Sequence, residues 1–185
     1  GTRSEAHTLN RLARNRANGE HLLTGPTFTV AGRSFQTGDR VLICRNDTNQ
    51  TTPDGDPVRV ENGTLGTITA VDPDTRTVDV DLRTGQTVRL DREYLEAGHL
   101  DHGYAMTIHK SQGATCDQAF VVGPSGLYRE AAYVAMSRSR HGALLYATSR
   151  QAAEIGERDH ATGLPLGDTD PAHDLVNTLA RSETK

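Results

Sequence analysis

The spacing of hydrophobic residues predicts a helix at the start of the chain and strands after it. From Ser4 to Gly19, apolar residues recur every three or four positions, as on one face of an amphipathic helix. These apolar positions are Ala6, Leu9, Leu12, Ala13 and Ala17. From Thr27 onward the period shortens to two, which is typical of strands with one buried face.

The β-rich region consists of short runs that end at turn-forming residues. The predicted strands are Thr27–Ala31, Arg40–Cys44, Gly66–Val71, Thr77–Leu82 and Thr87–Leu90. Residues 48–57 contain turn formers without an apolar period, so they are predicted to form an exposed loop. Strands this short, joined by tight turns, favour a small curled barrel.

After residue 94 the predicted order of elements changes to strand, helix and strand. One strand is predicted to run into Thr107–His109, and a second to cover Ala119–Val122. A helix from about Arg129 to Arg140 and a strand at Ala143–Ala147 follow. This order implies parallel pairing with a right-handed crossover.

The end of the chain is predicted to be a linker followed by a short helix. Asp159–Pro171 is rich in Gly, Pro, Asp and Thr, a composition typical of linkers. Pro171 then opens a helix that carries Leu175, Val176 and Leu179.

Composition and charge restrict the classes of protein that fit. The formal net charge of -4 argues against a surface that attracts nucleic acid everywhere, so any DNA contact must be local. The N-terminal basic cluster of Arg11, Arg14 and Arg16 is either a solvated face or such a contact. No apolar run approaches the roughly 20 residues that span a bilayer, so we expect no membrane association and a cytoplasmic location.

Two stretches carry chemistry beyond what ordinary structure requires. Five hydrogen-bonding side chains lie at the predicted carboxyl end of an apolar strand, the edge where open α/β sheets place ligands. They are Thr107, His109, Lys110, Ser111 and Gln112. The second stretch is residues 133–140, Tyr-Val-Ala-Met-Ser-Arg-Ser-Arg. Taken alone, the first could be an ordinary strand-to-loop transition and the second a helix end that complements its own dipole.

Together these stretches resemble a known pair of motifs. Residues 104–115, Tyr-Ala-Met-Thr-Ile-His-Lys-Ser-Gln-Gly-Ala-Thr, resemble motif V of superfamily 1 DNA helicases of the RecD-like branch, and residues 133–140 resemble motif VI. The resemblance covers roughly residues 1–150 and extends to the helicase region of TraA/MobF-type conjugative relaxases. It implies an α/β fold: a partial RecA-like parallel-sheet domain, the C-terminal domain of a P-loop NTPase helicase, with an inserted small SH3-like β-barrel.

The resemblance also implies domain boundaries and site residues. Residues 1–36 would be the first part of the RecA-like domain, 37–93 the barrel insertion, 94–150 the remainder with both motifs, and 151–185 a linker and C-terminal helix. The implied contacts with single-stranded DNA are Thr107, His109, Lys110 and Ser111. The implied nucleotide-binding residues are Gln112, Gly113, Thr115 and Arg140, although Thr115 stands where many relatives have an acid that holds the ribose.

Arg138 matches the arginine that reaches the γ-phosphate in that family, so the resemblance makes it the catalytic residue. A guanidinium that contacts the transferring phosphoryl group stabilises the charge of the transition state. This contact typically raises the rate ~10³- to 10⁵-fold. Lysine lacks the planar fork that this contact uses. Arg140 either joins Arg138 or closes the end of the helix.

Two elements of an ATP site are missing from the sequence. It contains no Gly-x-x-x-x-Gly-Lys-Ser/Thr and no Asp-Glu pair at the end of an apolar strand. We therefore expect the chain alone not to hydrolyse ATP and to hold no cofactor tightly. ATP and Mg²⁺ would be used by a longer parent protein, with single-stranded DNA and that parent's N-terminal RecA-like domain as partners.

Two alternatives remain open from the sequence. His99, His102 and His109 lie within eleven residues, as in some metal hydrolases, but no acid accompanies them at useful spacing, and no metal site is predicted. The other alternative is a non-enzymatic module that binds DNA or protein through the barrel.

Overall fold

The computed structural model describes residues 2–112, 114–123 and 129–147, and divides the chain into two compact units. The first unit comprises Arg3–Met106, and the second contains the residues from Thr107 onward. The predicted linker and helix within 151–185 lie outside the described residues.

The helix predicted near the start is confirmed. α1 spans Arg3–Gly19, and its half-buried or buried apolar positions are Ala6, Leu9, Ala13 and Ala17. Leu12 was expected on the same face but is largely exposed, while the polar Asn10 is buried. Among the described residues, no helix is both long and apolar enough to cross a membrane.

A hairpin follows α1. β1 (Thr24–Val30) and β2 (Arg33–Thr37) pair in antiparallel fashion. Ala31 and Gly32 connect them with positive φ angles of 49° and 73°, as the tight turns of two-residue hairpins require. Phe28 of β1 is buried in the core of the first unit.

Seven further strands of the first unit form one antiparallel sheet in the order β5-β4-β8-β7-β6-β3-β9. These strands are β3 (Arg40–Ile43), β4 (Asp47–Thr51), β5 (Pro57–Val60), β6 (Leu65–Asp72), β7 (Thr77–Leu82), β8 (Thr87–Leu90) and β9 (Leu100–His102). The alternation predicted for β7 is confirmed, since Val78, Val80 and Leu82 are all buried. A short helix, α2 (Arg92–Glu96), contributes Tyr94 to the same core.

The exposed loop predicted for residues 48–57 is wrong for residues 48–51, which belong to β4, and for Pro57, which begins β5. It is confirmed for residues 53–56, which are exposed between the two strands. Gln50 of β4 is buried, and both the nitrogen and the oxygen of its side-chain amide form hydrogen bonds. Its Nε2 donates to Asp47 Oδ2 at 2.9 Å, and its Oε1 accepts from Asp91 N at 2.9 Å. A polar side chain tolerates burial in a strand when its hydrogen bonds are made.

The sheet is open by its hydrogen bonding, with β5 and β9 as its two edges, so the described residues show no closed barrel. β9 also lies beyond the interval 37–93 that the resemblance assigns to the insertion. The implied boundaries 1–36, 37–93, 94–150 and 151–185 stay a prediction.

The second unit confirms the predicted strand, helix and strand. β10 (Cys116–Gly123) and β11 (Ser139–Ala147) pair in parallel, and α3 (Arg129–Met136) lies between them in sequence. The small core of this unit contains Val121, Ala132 and Ala135, with Ile108, Ala131 and Leu145 packed against them. This arrangement is the α/β pattern that the sequence predicted.

Candidate functional site

Residues 107–112 form a compact turn, so the strand predicted to reach Thr107–His109 is wrong. Thr107 Oγ1 accepts a hydrogen bond from Lys110 N at 3.4 Å, and Ser111 Oγ donates to Ile108 O at 2.8 Å. Ser111 N also donates to Thr107 O at 3.1 Å. Hydroxyl side chains that bond to the nearby backbone offer an alternative to strand pairing, which explains the difference.

This turn and α3 together line a cavity of about 350 Å³. The lining residues are Thr107, Ile108, His109, Gln112, Glu130, Ala131 and Val134. Ile108 and Ala131 also pack against the small core, so part of the wall is apolar. A concave wall that is partly apolar and carries a few polar side chains is the usual form of a ligand site.

The cavity brings together three of the predicted site residues. Thr107 and His109 were assigned to DNA and Gln112 to nucleotide, yet all three line the same cavity. Lys110 and Ser111 belong to the same turn, and Lys110 is exposed.

Two predicted nucleotide-binding residues follow this turn in sequence. Thr115 is exposed immediately before β10. Gly113 lies outside the described residues.

α3 is shorter than predicted and ends at Met136 instead of continuing to Arg140. Ser137 N donates to Tyr133 O at 2.9 Å, and Ser137 Oγ donates to Val134 O at 3.1 Å. The chain then enters β11 at Ser139, which pairs with β10. The helix ends here because parallel strand pairing takes over the backbone from Ser139 onward.

Arg138 is held at the carboxyl end of α3. Its Nε donates to Val134 O at 3.0 Å, and its Nη2 donates to Ser137 Oγ at 3.1 Å. A cation at this end of a helix is stabilised by the helix dipole. Since Val134 lines the cavity, Arg138 is tied to the helix that forms one cavity wall.

Arg140 lies on β11, so the alternative in which it closes the end of the helix is wrong. Its Nη1 is 3.5 Å from Asp117 Oδ1, and both side chains are well exposed. An exposed pair at this distance contributes little to stability. The nucleotide role implied for Arg140 stays a prediction.

A buried carboxylate in the first unit was missed by the sequence analysis. Asp39 is fully buried, and Arg14 Nε lies 3.1 Å from both of its carboxylate oxygens. Gln36 N and Tyr104 Oη each donate to the same carboxylate at 2.8 Å. A buried charge is tolerated when it is paired and hydrogen-bonded. Arg14, expected either on a solvated face or at DNA, is therefore engaged in a structural ion pair.

The surroundings of Asp39 also involve the pKa of Tyr104 and the backbone turn at Gly38. Burial, with the bond to Asp39, raises the pKa of the Tyr104 phenol to about 12. Gly38 has a φ of 95°, and a Cβ there would lie 2.4 Å from Leu22 O, so the turn into Asp39 requires glycine. In the sequence, the pair Gly38-Asp39 indicates a turn. Because a turn formed by these residues is usually exposed, the pair does not predict that Asp39 is buried.

Asn10 joins α1 to the segment that follows β9. Its Oδ1 accepts from Ala105 N at 2.7 Å, and its Nδ2 donates to Ala105 O at 2.9 Å. The side chain thus satisfies both backbone groups of Ala105, which explains why a polar residue is buried on α1.

Two of the three histidines considered as metal ligands, His99 and His102, have other contacts. His102 Nε2 lies 3.0 Å from Ser34 O, its ring centroid lies 4.9 Å from that of Phe35, and burial lowers its pKa. His99 Nε2 lies 3.3 Å from Arg45 Nη1. Within the described ranges, no group of three or more His, Cys, Asp or Glu residues is arranged to hold a metal ion.

The sequence of this chain is similar to helicase and conjugation proteins. Residues 102–146 match the family model of the UvrD-like helicase C-terminal domain. The conjugal transfer protein TraA of Agrobacterium fabrum is 34% identical over 159 residues, which are 83% of this chain and 14% of that protein. An uncharacterized protein of Mycobacterium tuberculosis is 34% identical over 110 residues, which are 59% of this chain and 62% of that protein. The chain therefore spans only a small part of the TraA relative.

Solved structures of Pif1 helicases share the fold. The Pif1 helicase from Candida albicans has a TM-score of 0.51 at 20% identity and covers 82% of this chain and 45% of its own. A Pif1 structure that describes DNA unwinding at forked double-stranded DNA has a TM-score of 0.50 at 23% identity, with coverage of 80% and 40%. The stretch that carries the turn, the cavity and Arg138 is thus similar in sequence to the C-terminal domain of UvrD-like helicases, and the chain is similar in fold to Pif1 helicases.

Proposed function

We propose that this chain is the C-terminal motor segment of an ATP-dependent superfamily 1 DNA helicase that forms part of a conjugative relaxase. The observation that carries the proposal is the cavity, which places Thr107, His109 and Gln112 against α3, the helix whose end holds Arg138. Hydrogen-bonding side chains beside an arginine suit the recognition of phosphate groups. The match of residues 102–146 to a helicase family model and the similarity to TraA support the same function.

The proposal divides the site residues into two sets. Those that contact the backbone of single-stranded DNA are Thr107, His109, Lys110 and Ser111. Those that face the nucleotide are Gln112, Gly113, Thr115 and Arg140. Because Thr107, His109 and Gln112 line one cavity, the two sets are neighbours, as coupling of ATP turnover to DNA movement requires.

Arg138 is proposed as the catalytic arginine. Its present partners, Val134 O and Ser137 Oγ, are neutral, and a bidentate contact with a phosphate, in which both groups are charged, is stronger than either bond. ATP and Mg²⁺ would be held by a P-loop in the N-terminal RecA-like domain of the longer parent, since this sequence contains no such loop.

We infer a RecD-like branch and an SH3-like insertion at 37–93 from the resemblance of motifs V and VI and from the short strands β3–β8. The sheet that contains these strands is open in the described residues. A crystal structure of a longer protein that contains residues 37–93 would test the assignment, because an SH3-like unit closes its strands into a barrel. An open sheet there would favour the simpler assignment to a superfamily 1 helicase.

The catalytic role of Arg138 is tested in a longer protein that carries this chain together with its P-loop domain. Arg138→Ala should reduce DNA-stimulated ATP turnover by ~10³-fold or more while single-stranded DNA affinity is retained. Arg138→Lys should not restore turnover. Arg59→Ala is the matched control, since Arg59 is exposed and pairs only loosely with Glu61 at 3.6 Å. Turnover that survives the loss of Arg138 would refute the assignment.

The proposed DNA contact is tested with this chain and a fluorescent oligothymidylate. A lysine that neutralises one phosphate releases its counterion, so Lys110→Ala should reduce the slope of log affinity against log salt by ~0.7. Lys185→Ala is the control, because Lys185 is the only other lysine in the sequence. Equal slopes for the two variants would remove Lys110 from the DNA contact.

A further inference from the structure

Among the described residues of the second unit, none covers one face of the parallel strand pair. On one face, Val121 and Leu145 pack with α3. On the other, four large apolar side chains are between 42% and 62% exposed. They are Phe120, Val122, Leu144 and Tyr146.

These four side chains form one continuous patch. The strand register pairs Phe120 with Leu144 and Val122 with Tyr146, so they occupy adjacent rows on the same face. The rings of Phe120 and Tyr146 stack with centroids 6.5 Å apart. Parallel sheets are normally covered on both faces, because their strands are apolar on both. This patch therefore has the character of a buried layer without its cover.

We propose that residues 171–182 of this chain form a helix that packs on the patch. Their apolar residues follow the i, i+3, i+4, i+7, i+8 spacing of a helix with one apolar stripe. These residues are Ala172, Leu175, Val176, Leu179 and Ala180. Asp170 is a favoured N-cap residue and Pro171 a favoured first helical residue, which places the start of the helix.

The dimensions of the segment fit the patch. A helix over 171–182 is roughly 18 Å long and about 10 Å wide with its side chains, whereas two paired strands lie about 4.8 Å apart. One helix therefore covers both strands. A random-coil chain with as many residues as 148–170 has an end-to-end distance of roughly 25 Å, which is enough to lead from the end of β11 at Ala147 back over the face. The second unit then has helix, sheet and helix as three layers.

Thiol accessibility tests this packing in the full chain. Leu144→Cys, made together with Cys44→Ser and Cys116→Ser, places a single thiol on the patch. We expect it to react with a small thiol reagent at least ~10-fold more slowly than in the same chain unfolded in denaturant. Adding Leu175→Asp and Leu179→Asp should abolish this protection. The matched control, Asn177→Asp with Thr178→Asp, introduces the same charge on the opposite side of the helix and should retain it.

Three results would overturn the proposal. They are a thiol without protection, protection that survives the apolar-stripe substitutions, and protection that disappears on dilution, which would mean that a second copy covers the patch. A disulfide measurement decides the outcome if the aspartate variants fail to fold. Leu144→Cys should oxidise readily with Leu175→Cys on the apolar stripe and slowly with Thr178→Cys, whereas equal rates would contradict the packing.

Discussion

The two units of this chain bury their apolar residues to different extents. In the first unit, Arg3–Met106, side chains such as Ile43, Val60 and Val80 are completely or almost completely enclosed by the hairpin, the seven-stranded sheet and α2. Among the described residues of the second unit, the core contains three buried apolar side chains, and an apolar patch of four is exposed. The first unit thus contains a large closed core, whereas the described part of the second unit carries the candidate site on a small core.

The two units also differ in how deeply their ion pairs are buried. The first unit contains the buried pair of Arg14 and Asp39, which is supported by Tyr104 and Gln36. The ion pair between Arg140 and Asp117 in the second unit is exposed and 3.5 Å long. The buried polar network lies in the first unit, and the candidate site lies in the second.

The largest expected effect comes from breaking the buried pair. Asp39→Asn should lower the free energy of unfolding of the first unit by about 3–5 kcal/mol, because it leaves the Arg14 guanidinium in a largely buried position without its counter-charge. The measurement is urea unfolding followed by circular dichroism. Asp117→Asn in the second unit should leave the unfolding curve unchanged within error. Similar losses in the free energy of unfolding for both variants would show that the buried ion pair stabilises the protein no more than the exposed pair does.

A smaller effect is expected from the same truncation in the two cores. Val80→Ala should destabilise the first unit by about 2–3 kcal/mol, since the lost transfer energy is joined by the cost of a cavity in a closed core. Val121→Ala should cost at most about 1.5 kcal/mol, because the thin core around it relaxes more easily. Amide hydrogen exchange in β7 and β10 reports the two regions separately. Equal costs would mean that the second unit is as tightly packed as the first.

The smallest expected effect is a loss of stability at alkaline pH, which two phenols of the first unit cause. Burial is the main cause that raises the pKa of both Tyr94 and Tyr104 from 10.0 to about 12. Because the unfolded chain loses these protons first, the stabilisation is complete below pH 10 and is lost as the pH rises towards 12. The free energy of unfolding should therefore decline across this pH range. The double variant Tyr94→Phe with Tyr104→Phe should show a smaller decline. Tyr133→Phe, which removes an exposed hydroxyl, is the control and should leave the decline intact.

Local patterns predicted the elements whose burial is regular. The alternation in Thr77–Leu82 predicted β7 with its true bounds. The spacing in α1 predicted all of the inward apolar positions, and was wrong only for Leu12, which is exposed. The order strand, helix and strand also predicted the parallel pair β10 and β11. These features follow from the sequence because the side-chain period reports directly which face of an element is buried.

Patterns failed where polar residues are buried or bond to their own backbone. β4 was predicted as a loop because Gln50 and its neighbours are polar, and only Asp47 and Asp91 make its burial favourable. For the candidate site, the motif residues were found from the sequence, but their common cavity was not. The turn at Thr107 depends on local hydroxyl bonds, and the cavity depends on α3, which lies more than fifteen residues further along the chain.

The sequence by itself determined the two kinds of region, most of their elements and the residues that carry the chemistry. Only the tertiary structure decided that Asp39 is buried under Arg14 and Tyr104, that α3 ends at Met136, and that Arg138 bonds to the helix that lines the cavity. The physical reason is that a periodic pattern depends on near neighbours, whereas the burial of a charge depends on partners that are far apart in sequence and meet only after folding.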